Sequence, residues 1–276
     1  MASDLILSGM SHLPPLLSAE SVHDRRHLSI WLSLTFAAGA VNAAALAACQ
    51  RFVTHVTGTL TRVGADFGDL WLMLDYACVF ACFVAGAMTS VFLIDGRRMR
   101  NREPWPTAPL WLVALVLLVT SGVGLSGGFG PFGRTVETAG DFVLLSLLGF
   151  AMGLQNASVA TTTGMIVRTT HMTGPVTDFS IALATALSGG PAPLVAAARR
   201  SVFLRGSKIV SFFVGALVAS LLAGHLEYAS FLLPAGVTML AATMLGASLR
   251  EPRDEPAPAE TRRRISIAAP ATSNAP

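Results

Sequence analysis

The stretch Thr54-His55-Val56-Thr57-Gly58 recurs, with one substitution, as Thr170-His171-Met172-Thr173-Gly174, 116 residues further along the chain. Each copy follows a long apolar segment and precedes another one. We call this repeated five-residue motif the phrase. Its two similarly placed copies indicate that the chain consists of two related halves. If each half crosses a membrane an odd number of times, the halves face opposite ways, and such inverted repeats are common in transporters. The two phrases therefore predict both a fold and the place where its halves meet.

The composition of the chain is that of a membrane protein. Hydrophobic residues make up 53% of it and charged residues only 13%, and the mean hydropathy is +0.60. A soluble domain carries about 25% charged residues, and a membrane-spanning helix needs about 20 mostly apolar residues. Six stretches meet that requirement: 28–49, 70–94, 109–128, 139–160, 207–226 and 228–249.

These stretches predict an all-α, polytopic membrane protein of about six transmembrane helices. The membrane domain covers residues 28–249, and its two inverted three-helix repeats cover 28–128 and 139–249. Residues 250–276 have too few apolar residues for a core, so we expect a disordered cytoplasmic tail there. We expect residues 1–27 to form a disordered cytoplasmic N-terminus, since their mixture of Pro, Glu and Asp does not resemble a cleavable signal.

A short segment follows the first helix of each repeat, and each begins near one copy of the phrase. Residues 52–67 and 168–187 are too short or too interrupted for ordinary spans, which predicts broken or half helices there. A threonine hydroxyl caps free N–H groups at a helix start, and glycine permits a close backbone approach. Such segments can re-enter the membrane, lie at its surface or cross it, and the sequence leaves the three possibilities open.

The basic residues set the expected orientation. If the six stretches cross and 52–67 does not, sixteen of the 19 Lys and Arg residues lie on one face. The positive-inside rule places that face, with both termini, in the cytoplasm. Topology therefore accounts for the basic pI of about 9.1, and we expect no nucleic-acid partner.

Several chemistries have no motif in this chain. It contains neither a G-x-x-x-x-G-K phosphate loop nor an H-E-x-x-H zinc motif. Its three cysteines, Cys49, Cys78 and Cys82, show no metal-ligand spacing with histidine. We therefore expect no enzyme activity, no cofactor and no metal site.

Four segments carry a resemblance to a known family: Ala38–Ala43, Thr54–Gly64, Gly149–Asn156 and Arg168–Asp178. Together they resemble the YoaK-like family of bacterial inner-membrane proteins, a domain of unknown function, over roughly residues 28–249. The resemblance implies about six spans in a bacterial inner membrane, and it implies no established activity. Members of that family often carry Asp where this chain has Asn42, so the resemblance also weakens a proton relay through this position.

The candidate binding residues are the polar groups of the two phrases and the amides late in the preceding spans. Histidine titrates near neutral pH, and polar groups at membrane depth are often functional. The candidates are Asn42, His55, Thr57, Gly58, Gln155, Asn156, His171, Thr173 and Gly174. Each has a structural alternative: Thr and Gly as helix caps, the amides as hydrogen bonds between helices, and the histidines as residues at the membrane edge.

Arg62 and Asp178 occupy the matched position after each phrase. An ion pair between them would brace the two halves or act as a gate. The local alternative pairs Arg62 with Asp66 one helical turn later.

Together these features predict a secondary transporter or permease for a small polar or anionic solute, bound where the repeats meet. Its expected partners are the membrane lipids and that solute. The alternative is a non-transporting membrane scaffold or regulatory subunit, in which the polar phrases serve only packing. An intramembrane enzyme is the least favoured class, because the titratable groups are scattered along the chain.

Overall fold

The computed structural model describes residues 13–65, 68–134, 138–170 and 172–250. Every regular element in these ranges is helical, which confirms the all-α prediction. In chain order the elements are α1 (Ala19–Val22), α2 (Arg25–Cys49), α3 (Val56–Ala65), α4 (Leu70–Arg98), α5 (Ala108–Leu125), α6 (Ala139–Thr162), α7 (Thr173–Leu187), α8 (Ala192–Leu226), a 3-10 turn (Glu227–Phe231) and α9 (Leu232–Arg250).

Local sequence explains several helix ends. The carboxylate of Asp69 accepts hydrogen bonds from the backbone N–H groups of Trp71 and Leu72 at the start of α4. Thr138 and Asp141 cap one another at the start of α6. Helix α2 ends at Cys49, and the next residue, Gln50, takes the left-handed conformation with a φ of 56°.

Within the described ranges, five helical segments are long and apolar enough to cross a membrane: α2, α4, α5, α6 and the 59-residue run Ala192–Arg250. Glu227, with a φ of 47°, interrupts the last of these. The chain reverses there, because Tyr228 lies beside the loop that follows α5 whereas Ser248 hydrogen-bonds His27 at the start of α2, at 2.8 Å. This set of apolar helices is that of a multi-pass membrane protein.

The outward faces of α4 and α8 are apolar. Only 22% of the most apolar window of α4, and 17% of that in the Ala192–Arg250 run, is buried within the protein. Large side chains such as Trp71, Phe92 and Phe203 are well exposed. A soluble monomer rarely exposes so much apolar surface, whereas lipid solvates it.

The long helices pair across the two halves of the chain. Helix α2 packs along α8, and α4 packs along α6. Each pair crosses where two Phe-x-x-Gly motifs face one another: 36–39 against 212–215, and 83–86 against 150–153. At all four glycines a Cβ atom would collide with the carbonyl oxygen of the partner motif's phenylalanine. Glycine is therefore what permits these close crossings.

Two boundaries differ from the predicted ones. Leu17 and Val22 are buried, and the Trp31 indole donates a hydrogen bond to the Val22 carbonyl at 3.2 Å, so the chain is packed well before residue 28. Helix α8 begins at Ala192, whereas the predicted span begins at 207. Arginines in residues 192–206 lower the hydropathy there, but arginine is a good helix former and does not end the helix. Residues 1–12 and 251–276 lie outside the described ranges.

Candidate functional site

The first phrase turns back along the helix that precedes it. The side-chain oxygen of Asn42 accepts hydrogen bonds from the backbone N–H groups of Val53 and Thr54, at 3.1 and 3.2 Å, and from the Thr54 hydroxyl at 3.0 Å. Asn42 lies seven residues before the end of α2 at Cys49. At 1.5 Å per residue, the loop therefore returns by about 10 Å alongside α2 before α3 begins.

The second phrase turns back in a similar way. The amide nitrogen of Gln155 donates hydrogen bonds to the Thr169 hydroxyl at 3.1 Å and to the Leu34 carbonyl in α2 at 2.8 Å. Gln155 also lies seven residues before the end of its helix, α6, at Thr162. Each loop is therefore held inside the bundle by an amide side chain of the preceding helix.

The two phrases meet at one cavity of about 470 Å³, which we call the central cavity. Its lining residues are Asn42, Phe52, Thr54, His55, Val56, Thr57, Thr170, Met172, Thr173 and Phe212. None of these is Asp, Glu, Lys or Arg. Threonine hydroxyls both donate and accept hydrogen bonds, and α3 and α7 begin at the cavity with the positive ends of their dipoles. This lining suits a small polar group or a weakly charged anion.

A second cavity, of about 210 Å³, lies beside the start of α3, and we call it the Arg51 cavity. It is lined by Gln50, Arg51, Phe52, His55, Gly58, Thr59, Arg62, Tyr76, Val79 and Leu145. Phe52 and His55 thus line both this cavity and the central one, with their rings edge to face at 6.3 Å between centroids.

A third cavity, of about 540 Å³, lies beside the start of α7, and we call it the basic cavity. It is lined by His23, Met165, Ile166, Arg168, Gly174, Pro175, Asp178, Ser201, Leu204, Arg205 and Lys208. Thr173 faces the central cavity and Gly174 faces the basic one. The start of each short helix therefore stands between the central cavity and a neighbouring cavity.

The structure distributes the predicted residues over these cavities. Four line the central cavity: Asn42, His55, Thr57 and Thr173. Gly58 lines the Arg51 cavity and Gly174 the basic cavity. Gln155 is fully buried and lines none of the three. Its neighbour Asn156 is half-buried and also lines none of them, and its side-chain oxygen has no hydrogen-bond partner among the described residues. His171 lies outside the described residues.

The structure does not join Arg62 to Asp178. The Asp178 carboxylate accepts a hydrogen bond from Arg205 at 3.3 Å in the basic cavity, whereas Arg62 lines the Arg51 cavity. Asp66, the local alternative partner of Arg62, lies outside the described residues. A brace or gate between the two matched positions therefore has no direct contact in this conformation.

Gly58 has a specific relation to His55. A Cβ atom at position 58 would lie within van der Waals overlap of the His55 ring. The imidazole therefore rests over the first turn of α3, which begins at the next residue, in space that only glycine leaves open. This placement turns the ring towards the two cavities that it lines.

Reasoning from the sequence did not predict that aromatic side chains line the central cavity. It explained the basic residues of the basic cavity only by the positive-inside rule. Lys208 nonetheless gave a signal, because it lies inside the apolar stretch 207–226, and a charge within a span is often functional. In the described part of the chain, no cluster of three or more His, Cys, Asp or Glu side chains is placed to hold a metal ion.

Comparison with known proteins identifies a family without an assigned activity. The family model described as "Protein of unknown function (DUF1275)" matches residues 30–245, which include both phrases and all four Phe-x-x-Gly motifs. No curated protein and no solved structure matches the chain. Because the match covers most of its length, the chain belongs to the DUF1275 family of proteins of unknown function.

Proposed function

We propose that this protein is a secondary transporter or permease for a small polar or anionic solute, which binds in the central cavity. One observation carries the proposal: two copies of a phrase that are 116 residues apart in sequence line the same cavity. His55, Thr57 and Thr173 are exposed to this open volume, and packing alone does not require polar side chains to surround it.

The proposal includes six crossings, arranged as two inverted three-helix repeats in a bacterial inner membrane with both termini in the cytoplasm. The chain reversal at Glu227–Phe231 supports a sixth crossing. The reciprocal Phe-x-x-Gly crossings support the repeat, because the first long helix of each half crosses the second long helix of the other half. Helix α2 crosses α8, and α6 crosses α4 in the same way. The Arg51 and basic cavities also take matched residues, Gly58 with Gly174 and Arg62 with Asp178.

The short helices are suited to act as gates. No residue of α3 is buried, and in α7 only Ala182 is. Each packs mainly on one long helix, α3 on α4 and α7 on α8. Elements with few buried contacts open at low free-energy cost. A displacement of α3 or α7 would connect the central cavity to the Arg51 cavity or the basic cavity in turn, which is the pattern of alternating access.

A scaffold function is the second candidate, and the amide groups favour it. The Asn42 oxygen accepts hydrogen bonds from the loop after α2, and the Gln155 amide nitrogen donates to Leu34 and Thr169, as structural residues do. On that hypothesis the central cavity is incidental, and substitutions in its lining leave every flux unchanged.

Uptake into proteoliposomes distinguishes the two candidates. The panel of solutes contains phosphate, small carboxylates and small polyols. Wild type should take up at least one of them above protein-free liposomes, and His55→Ala should lower that uptake about tenfold, the effect of losing roughly 1.4 kcal/mol of interaction. Gly58→Ala should also lower it, because the new methyl group displaces the His55 ring.

Gly64→Ala is the matched control, because it lies in the same helix and its Cβ would meet open space. It should transport as wild type does. Full uptake by His55→Ala would remove this residue from the mechanism. If wild type moves no member of the panel faster than protein-free liposomes, the scaffold function is favoured.

A further inference from the structure

Lys208 is a buried cation that has no salt-bridge partner among the described residues. Its side chain lines the basic cavity, yet the residue is only 3% exposed. Within the described part of the chain, its ammonium makes no hydrogen bond and no ion pair. Burying an unpaired charge costs several kcal/mol. Membrane topology explains why a basic residue lies near this face, but it does not require that residue to be buried.

The surroundings of Lys208 add to the positive charge. Arg168 and Arg205 line the same cavity, and Asp178 is the one carboxylate among the lining residues. Arg205 already holds that carboxylate at 3.3 Å. Two positive charges in the cavity therefore remain uncompensated, and an ordinary salt-bridge network would not leave this excess.

Backbone groups also contribute to the positive electrostatic potential in the basic cavity. Gly174 and Pro175, in the first turn of α7, line the cavity. A helix N-terminus carries a partial positive charge that favours anions. The volume of about 540 Å³ falls within the range of small-molecule sites, about 300–1,000 Å³.

We propose that the basic cavity binds a phosphate group. Lys208 supplies the buried charge, and Arg168 and Arg205 supply planar guanidinium groups that match phosphate oxygens. The phosphate belongs either to the headgroup of an anionic lipid or to a free phosphate compound from the aqueous side. The proposal is independent of transport, because it concerns binding to the purified protein.

Binding is measured on the full chain in an uncharged detergent. In one arm, inorganic phosphate is titrated against sodium chloride of equal ionic strength, and the thermal unfolding midpoint is followed. In the other arm, phosphatidic acid and phosphatidylcholine are compared by the same shift and by retention of lipid in native mass spectrometry. We expect stabilisation by inorganic phosphate, by phosphatidic acid or by both, and none by the chloride or phosphatidylcholine controls.

Lys208→Met keeps the apolar stem and removes the charge. It should weaken phosphate or phosphatidic acid binding about tenfold or more, and without ligand it should unfold at the same temperature as wild type or higher, because a buried charge has gone. Arg199→Gln is the control, since Arg199 lies on the same helix, is exposed and does not line the cavity. It should bind as wild type does.

Arg168→Gln provides a second variant at an exposed position, should Lys208→Met fail to fold, and it should weaken binding in the same direction. Stabilisation by inorganic phosphate alone identifies a soluble phosphate compound as the ligand, and stabilisation by phosphatidic acid alone identifies a lipid headgroup. The proposal is overturned if neither probe exceeds its control, or if the folded variants bind as tightly as wild type.

Discussion

At the scale of single residues, Asn42 shows how one side chain positions a whole phrase. Its oxygen accepts three hydrogen bonds, two of them from backbone N–H groups that would otherwise have no partner at the turn. This role needs an acceptor and no titration. An aspartate carboxylate oxygen could accept the same bonds.

The variants Asn42→Leu and Asn42→Asp should therefore differ sharply in their free energy of unfolding. The leucine variant leaves two N–H groups unsatisfied and should lose about 1–3 kcal/mol of unfolding free energy. The aspartate variant should stay close to wild type. Thermal or denaturant unfolding in detergent measures both. Equal losses in the two variants would show that the hydrogen bonds are not what Asn42 contributes.

Some of the candidate site could be predicted from the sequence, and the reason is local. The phrases were visible as repeated letters, and three of the residues chosen in them, His55, Thr57 and Thr173, line the central cavity. The burial of Lys208 was not visible, because it depends on how α8 packs beside the start of α7. The Arg62–Asp178 pair was inferred from symmetry alone, and in the structure Arg205 holds Asp178 instead.

At the scale of elements, the decisive contacts are the glycine crossings. Gly86→Ala places a methyl group against the Phe150 carbonyl, and neither backbone can move without shifting its helix. We expect a loss of about 1–3 kcal/mol from overpacking, measured by unfolding in detergent.

Gly96→Ala is the matched control for that variant. It lies in the same helix, and its Cβ would make only ordinary contacts with the Phe92 side chain. Its stability should equal that of wild type or exceed it slightly, because alanine favours helix. If Gly86→Ala were as stable as Gly96→Ala, the close crossing of α4 and α6 would be wrong.

Helix positions were easier to predict than helix partners. Lipid permits no unpaired backbone, so a long apolar stretch has to be helical, and α4 and α6 begin at the predicted residues, 70 and 139. Partner choice depends on surfaces far apart in sequence. Residues 83–87 and 212–216 have similar sequences, Phe-Val-Ala-Gly-Ala and Phe-Phe-Val-Gly-Ala. That similarity does not reveal the partner of either helix, which becomes visible only from the Phe-x-x-Gly motifs of α2 and α6 in the structure.

At the scale of the whole molecule, the proposed topology makes a direct prediction. Single cysteines at Arg100 and Arg264, introduced after Cys49, Cys78 and Cys82 are replaced by serine, should both be labelled only from the cytoplasmic side. Labelling of whole cells with an impermeant maleimide, before and after permeabilisation, measures this. Labels on opposite sides of the bilayer would contradict an even number of crossings between the two positions.

The pairing of helices from opposite halves of the chain has a consequence for biosynthesis. Gly39 meets its partner at Phe212, which the ribosome adds about 170 residues later. At a synthesis rate of about 5–20 residues per second, α2 waits in the bilayer for roughly 10–30 seconds before α8 is made. During that time the small residues around Gly39 face lipid or an insertion factor. Helix α4 meets α6 much sooner. The nascent protein should therefore assemble from its middle outwards, and α2 should pair with α8 later than α4 pairs with α6.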